Sequence, residues 1–428
     1  MLAGHGVTRH WWRSAAWGLA LAVTVTVGLV PAPAMAKEGR TPIVLFPAFH
    51  FTRLLVTVNG QTVAPDCPAS GSFTDFFLND QPSTTFSQVC EDKLMTLRYN
   101  ADPDVPMPQR FSNQVGVTTS ILDYGKTQSA PFYEAMYQAL EGAGYVRNQD
   151  IRVAGYDARL TPDIGDFLAR SKELIEDTYR ANGHRPVHLV GHSNGPIYAE
   201  YLLTHTSRSW KEKYIHGFTP IAGNFPGQGS VWLVLFSGLN ILDFSFPATT
   251  ANAQSSTHMY LTTPSTYLST ADPRVFDDQE TVVQNLANGR SYTPTAFPQL
   301  LHDAGLDAFV PVARFYVGFL NMSSDSSFPG VDVYAEKGSG IPTVVGAQLP
   351  DLTVGQVIDP NTTGFFVRDG DINQEDITNN AVGRWQAMPC FHFSLTDNPG
   401  VDHFSLPSDP GLLKRLIADA ARPRTDCR

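Results

Sequence analysis

The stretch VHLVGHSNGPIYAEYLL, Val187 to Leu203, limits the folds open to this chain more than any other. Val187, Leu189 and Val190 read as a short buried strand, and Ile197, Tyr198, Tyr201 and Leu202 recur at helical spacing. The five residues between, Gly191 to Gly195, must therefore turn a strand directly into a helix. Such a turn strains the residue at its apex and presses strand and helix together, which calls for small residues two before and two after. Gly191 and Gly195 occupy those positions and Ser193 the apex. A serine that only caps the helix accounts for the hydroxyl. It does not account for the paired glycines.

Strands and helices alternate around this turn. Ile43 to Phe46 reads as a buried strand, and PFYEAMYQALEGAGY carries Tyr133, Met136, Leu140 and Tyr145 near one helical face with Gly144 as a stop. DIRVAGYD reads as another strand, followed by a helix from Ile164 to Tyr179 with Phe167, Leu168 and Leu174 as its stripe. The Ser193 unit comes next, and IHGFTPIAG is a further strand. Alternation at this length predicts βαβ units and an α/β fold with a mostly parallel, doubly wound sheet. From Phe225 to about Phe297 the rhythm lapses: SVWLVLFSGLNILDFSFP is apolar and the Thr/Ser-rich run after it reads as mobile. A long stretch of that kind fits a lid or cap insertion. Strands return with VDVYAEKGSG, TGFFVRDGD and PCFHFSL, and a helix from Pro410 to Ala421 follows.

Residues 1–36 are a different kind of sequence. Arg9 and Arg13 without an acidic residue precede the apolar run Trp17 to Val30, and APAMA supplies small residues before Lys37. This reads as a secretory signal peptide cleaved after Ala36, with an uncleaved anchor as the alternative. Residues 37–428 are then expected on a secreted or lumenal route. No later segment reaches the roughly 18 apolar residues of a membrane span. Four cysteines suit such a compartment. A bridge from Cys67 to Cys90 would close an irregular loop and stabilise by roughly 3 kcal/mol. Cys390 and Cys427 would tie the last strand region to the C-terminal tail. No C-x-x-C or nearby His spacing supports a metal, so neither metal nor cofactor is expected. Asn321-Met-Ser and Asn361-Thr-Thr are glycosylation sequons. With a net charge of −11 and no block among its 30 Lys and Arg, the chain is not expected to bind nucleic acid.

A serine hydroxyl needs a His base and a carboxylate to orient it. In strand–turn–helix hydrolases these follow the serine in the order acid, then histidine. His184, His188 and His192 precede or flank Ser193 and are assigned to structure. His392 falls in the strand CFHFSL, whereas His403 lies in the Gly/Pro loop DNPGVDHFSLPSD before the last helix, where such a base belongs. TTGFFVRDGDIN ends a strand on Asp369-Gly370-Asp371, either acid being eligible and the other a turn residue. The oxyanion donors are expected to be the backbone N–H groups of Asn194 and of a residue near Phe49.

Taken together, PIVLFPAF, the Cys67–Cys90 loop, GYVRNQDIRVAGYDARL, RPVHLVGHSNG, WKEKYIHGF, VDVYAEKGSGIPT, VRDGD and DHFSL resemble the lecithin:cholesterol acyltransferase and lysosomal phospholipase A2 family. The resemblance runs from about residue 41 to 406. It implies an α/β-hydrolase with a cap and a lid, acting at a phospholipid membrane or lipoprotein-like surface and moving an acyl chain from a phospholipid to water or to an alcohol such as a sterol. It places the nucleophile on Ser193, the acid on Asp371, the base on His403 and the oxyanion donors on Phe49 and Asn194. Phe73, Phe76, Phe77 and Leu78 of the 67–90 loop would dip into lipid. The chain departs from the family at Ala48, at Ala158, at Ala335 and Val382 where a second disulfide is missing, and at Ile372-Asn373-Gln374. A soluble carboxylesterase and a catalytically inactive lipid-binding protein are the rival readings.

Overall fold

Six short strands make up the main sheet, and adjoining apolar residues such as Val44-Leu45 and Leu189-Val190 place apolar side chains on both of its faces, which must therefore both be covered. They are β1 (Ile43–Phe46), β2 (Ile151–Val153), β3 (Val187–His192), β4 (Ile215–Ile221), β5 (Val333–Ser339) and β6 (Phe393–Pro399). In the computed structural model, which describes residues 39–75, 83–240, 245–276 and 280–425, they form one parallel sheet in the order β6-β5-β4-β3-β1-β2. Every residue of β1, β3, β4 and β5 is buried. Phe46 pairs with Gly191 and His192 with Ile221, so β1, β3 and β4 end on one edge. Their loops open together at the carboxyl ends of the strands, where parallel sheets bind ligands.

Helices α1 (Glu134–Gly142), α2 (Phe167–Ala181), α3 (Gly195–Thr204) and α4 (Pro410–Ala420) agree with the sequence reading to within a few residues. α2 buries Phe167, Ser171, Leu174, Ile175 and Thr178, one stripe at helical spacing. It starts after Ile164 because Gly165, at φ 75°, breaks the turn ahead of it. α3 is buried on almost every side, which explains its nearly unbroken apolar composition.

The structure corrects four expectations. TGFFVRDGD does not join the main sheet: Phe365–Gly370 pairs antiparallel with Ile341–Leu349 in a separate sheet that also holds Val283–Asn285 and Arg290–Tyr292. Three consecutive residues of this strand, Val367 to Asp369, are exposed, which a central strand cannot allow. The Thr/Ser-rich run read as mobile is packed helix, Thr250–Leu261 and Pro264–Leu268, after an apolar helix Val231–Ser237. Some of its buried hydroxyls are satisfied locally, Thr263 on Met259 O and Thr270 on Thr266 O, Ser255 and Ser256 both donate to Asp92 at 2.7 Å, and those of Thr257 and Thr266 find no partner among the described residues. His392 precedes β6 and lies against the Tyr334 ring rather than within the strand. Phe73, expected to face lipid, is a core residue: its strand Ser70–Asp75 sets it opposite Val56, and its ring packs on Phe86 at 5.4 Å.

Cys67 and Cys90 are bridged, joining the three-stranded sheet of Leu54–Asn59, Ser70–Asp75 and Val117–Ile121 to the helix Gln88–Met95. Arg159, buried, ties this part to the end of β2 by donating to Met95 O, Asn113 and Asp157. Cys390 is disulfide-bonded as well, and its expected partner Cys427 lies outside the described residues. Phe76, Phe77, Leu78 and the leader 1–36 also lie outside them. No helix among the described residues is long and apolar enough to cross a membrane.

Candidate active site

The turn between β3 and α3 holds Ser193 at φ 60°, in the left-handed region that a non-glycine residue enters at a cost of about 1–3 kcal/mol. The flanking glycines show why the turn can be this tight. A Cβ on Gly191 would stand 2.7 Å from Pro196 N, and one on Gly195 would stand 2.0 Å from Phe46 O of β1. The strained serine is held from both sides: its N–H donates to Ile221 O at 2.9 Å, and its carbonyl accepts the Asn224 N–H at 2.9 Å.

At the end of β5 the chain returns from the second sheet and sets down Asp371, close enough that a side chain on Gly338 would meet its Cβ at 2.9 Å. Its Oδ1 accepts the N–H groups of Asn373 at 3.1 Å and Gln374 at 2.7 Å. Its Oδ2 accepts from Asn379 at 3.2 Å and lies 3.0 Å from His403 Nδ1. The His403 N–H also donates to Asp371 O at 2.8 Å. Both side chains are buried, 0% and 1% exposed. Asp369 is exposed, so of the two acids in D-G-D only Asp371 meets the histidine. The following residue, Ile372, is held at φ 79° and is 41% exposed, a strained conformation for a β-branched residue.

Ser193 opens into a cleft lined by Phe49, Asn194, Asn224, Gln228, Val231 and Tyr260, among others. The backbone N–H groups of Phe49 and Asn194 donate to no acceptor among the described residues, and Asn194 sits at the amino end of α3. The Asn194 side chain is clamped, donating to Ser269 and accepting from Asn224, both at 2.9 Å. Ser193 Oγ and His403 Nε2 are not hydrogen-bonded to each other, a contact that in unliganded sites often closes only on substrate. The cleft encloses about 30 Å³, room for a water but not for an acyl chain. Tyr260 also borders a neighbouring pocket of about 290 Å³ against Asp75, Glu91, Phe246 and Met259.

The segment over the cleft is pinned to the acid loop. Gln228 donates to Asn373 O, Thr378 to Gly227 O, and the Gly229 N–H to Glu375 Oε1 at 3.0 Å. Burial, and then the neighbouring Glu280, pushes the Glu375 carboxyl up to about 9. The sequence reading passed over Asn379, Glu375 and Tyr133. Tyr133 was legible only as part of an apolar stripe, and nothing in the order of residues signals where its hydroxyl points.

A family model described as lecithin:cholesterol acyltransferase matches residues 98–289. Lysosomal phospholipase A and acyltransferase of Mus musculus is 28% identical over 309 residues, which is 70% of this chain and 69% of that protein. Phosphatidylcholine-sterol acyltransferase of Mus musculus is 26% identical over 309 residues, 69% of this chain and 67% of that one. Lecithin-cholesterol acyltransferase-like 1 of Oryza sativa subsp. japonica is 24% identical over 419 residues, 93% of this chain and 91% of its own. A chain of the crystallised Tle4–Tli4 complex superposes with a TM-score of 0.53 at 10% identity, covering 89% of this chain and 98% of that one, a likeness of fold alone. The resemblance carried by the motifs holds, and the fold is that of the α/β-hydrolases.

Proposed function

We propose that this enzyme, a relative of the lecithin:cholesterol acyltransferase family, transfers an acyl chain from a glycerophospholipid through an acyl-serine on Ser193. In the first step Ser193 Oγ attacks the ester carbonyl and His403 Nε2 takes the hydroxyl proton. Asp371 holds the Nδ1 proton and steadies the imidazolium. The N–H groups of Phe49 and Asn194 receive the oxyanion of the tetrahedral intermediate. Collapse breaks the ester C–O bond, and His403 returns its proton to the departing lysophospholipid oxygen. In the second step His403 deprotonates water, releasing a fatty acid, or an alcohol such as a sterol, releasing an ester, and Ser193 regains its proton.

The observation that carries this reading is the buried Asp371–His403 pair at 3.0 Å, on the same sheet edge as a serine held at positive φ. The names of the relatives support a phospholipid donor. The segment of about residues 225–297 serves as lid and cap, because Val231, Val234 and Tyr260 must move before an acyl chain can reach Ser193. Residues 67–90 serve as the membrane-binding loop, with Phe76, Phe77 and Leu78 as its lipid contacts. The leader 1–36 directs residues 37–428 to a secreted or lumenal location.

The test is acyl transfer from phosphatidylcholine liposomes, with and without sterol, by residues 37–428 and by Ser193→Ala. Fatty acid and, with sterol present, sterol ester are expected from the first and neither from the second. Equal inertness of the two proteins on several lipids overturns the proposal. Equal rates on liposomes and on a soluble ester indicate a carboxylesterase.

A further inference from the structure

We infer that Tyr133 and His192 form a buried strut that sets the spacing between the oxyanion donors and the base, which makes them positioning residues for acyl transfer. The inference rests on the acyl-serine reading above. His192 Nε2 lies 3.0 Å from His403 O, and a carbonyl can only accept, so Nε2 carries a proton. Burial, and then the adjacent His403, holds His192 well below its usual range, so the ring is neutral and Nδ1 is a bare acceptor. The Tyr133 hydroxyl, 3.1 Å from Nδ1, therefore donates to it. The Tyr133 oxygen in turn accepts the Ala48 N–H at 2.8 Å.

Every proton in this chain is thereby assigned, from Ala48 N–H through Tyr133 and His192 to the backbone of His403. The strut joins three loops that the sheet alone does not hold together: the one after β1, the turn at Ser193 and the one carrying His403. It also explains which N–H serves the oxyanion. That of Ala48 is committed to Tyr133, and that of Phe49, one residue on, is left for the Ser193 cleft. Phe51 and Phe132 pack around the His192 ring at 6.1 and 6.4 Å between centroids, and His403 lies at 4.9 Å. Ala48, Phe51, Tyr133, His192 and His403 are all buried, and in such a low-dielectric interior a fully satisfied chain of hydrogen bonds is stiff.

The experiment compares residues 37–428 as wild type, Tyr133→Phe, His192→Gln, His192→Phe and Ser193→Ala on a soluble p-nitrophenyl ester, recording kcat, KM, Tm and the rate of inactivation by a serine-directed phosphonate. A displacement near 1 Å between reacting groups costs up to about 100-fold. Tyr133→Phe is therefore expected to lower kcat by roughly 10- to 100-fold, and the phosphonate rate with it, while KM stays within about twofold. His192→Gln, whose amide can still donate to His403 O, is expected to keep more activity than His192→Phe. A folded Tyr133→Phe with wild-type kcat, a loss confined to KM or Tm, or Gln no better than Phe at 192 overturns the inference. If His192→Phe does not fold, Tyr133→Phe, which removes one oxygen and keeps the ring, decides it. Activity surviving in Ser193→Ala refutes the acyl-serine reading instead, which keeps the two failures apart.

Discussion

Gly195→Ala tests whether close packing of α3 on β1 is what aligns the site. The added methyl would stand 2.0 Å from Phe46 O and 2.7 Å from Pro47 O, both backbone atoms at the end of a central strand. Relief to 3.0 Å, the shortest approach a Cβ tolerates, requires α3 to retreat by at least about 1 Å. Ser193 lies two residues before Gly195 and Phe49 two residues after Pro47, so this retreat separates the nucleophile from an oxyanion donor. A 1 Å error costs about 100-fold in rate, or about 2.7 kcal/mol of barrier. Overpacking costs about 1–3 kcal/mol of stability. Unfolding entropy of about 2.1 cal/mol/K per residue gives a unit of roughly 390 residues about 0.8 kcal/mol/K, so Tm falls by only about 1–4 °C. The expected signature in ester hydrolysis and calorimetry is thus a large loss of kcat beside a small loss of Tm. Gly142→Ala, on a helix with nothing within 4 Å of the new methyl, is the control and should leave both intact. Gly195→Ala with kcat within threefold of wild type refutes the reasoning.

Three further outcomes are expected. Asp371→Asn should lower kcat by about 10³- to 10⁴-fold by allowing the wrong His403 tautomer, whereas exposed Asp369→Asn should leave it unchanged; steady-state kinetics on one ester separates them. Ile372→Asn, a residue that tolerates positive φ, should relieve about 1 kcal/mol of strain and raise Tm by about 1 °C without loss of activity, which calorimetry checks. Glu375 binds its proton in the folded protein up to about pH 9 but releases it near pH 4.5 when unfolded, so its contribution to stability is full below pH 4.5 and is lost as pH rises toward 9. Glu375→Gln, whose amide oxygen can still accept the Gly229 N–H, should gain in Tm relative to wild type between pH 5 and pH 9; a gain independent of pH would count against the assignment.

The nucleophile turn was legible in the chain because its requirements are local: two glycines, one serine and an apolar run on each side decide it within a few residues. The four inner strands were legible for a related reason, since strands buried on both faces carry adjoining apolar residues, as Ile43 to Phe46 and Leu189-Val190 do, even where His188, Glu336 and Lys337 interrupt the run. The sequence by itself thus determined the α/β sheet, the turn at Ser193 and the loop holding His403. Where buried positions are polar the pattern disappears, and Thr250–Leu261 was misread because its inner face includes hydroxyls satisfied by its own helix and by Asp92, far away in the chain. Phe365–Gly370 was misassigned because a half-exposed strand looks alike in either sheet. The residues alone left Asp369 and Asp371 both eligible and only the resemblance favoured Asp371; tertiary structure set Asp371 against His403, turned Phe73 into the core, and joined Ala48, Tyr133, His192 and His403 in one hydrogen-bonded line. The physical reason is that periodicity along a chain records whether a side chain is buried, while a hydrogen bond between residues 59 or 211 positions apart depends on where the folded sheet brings their loops.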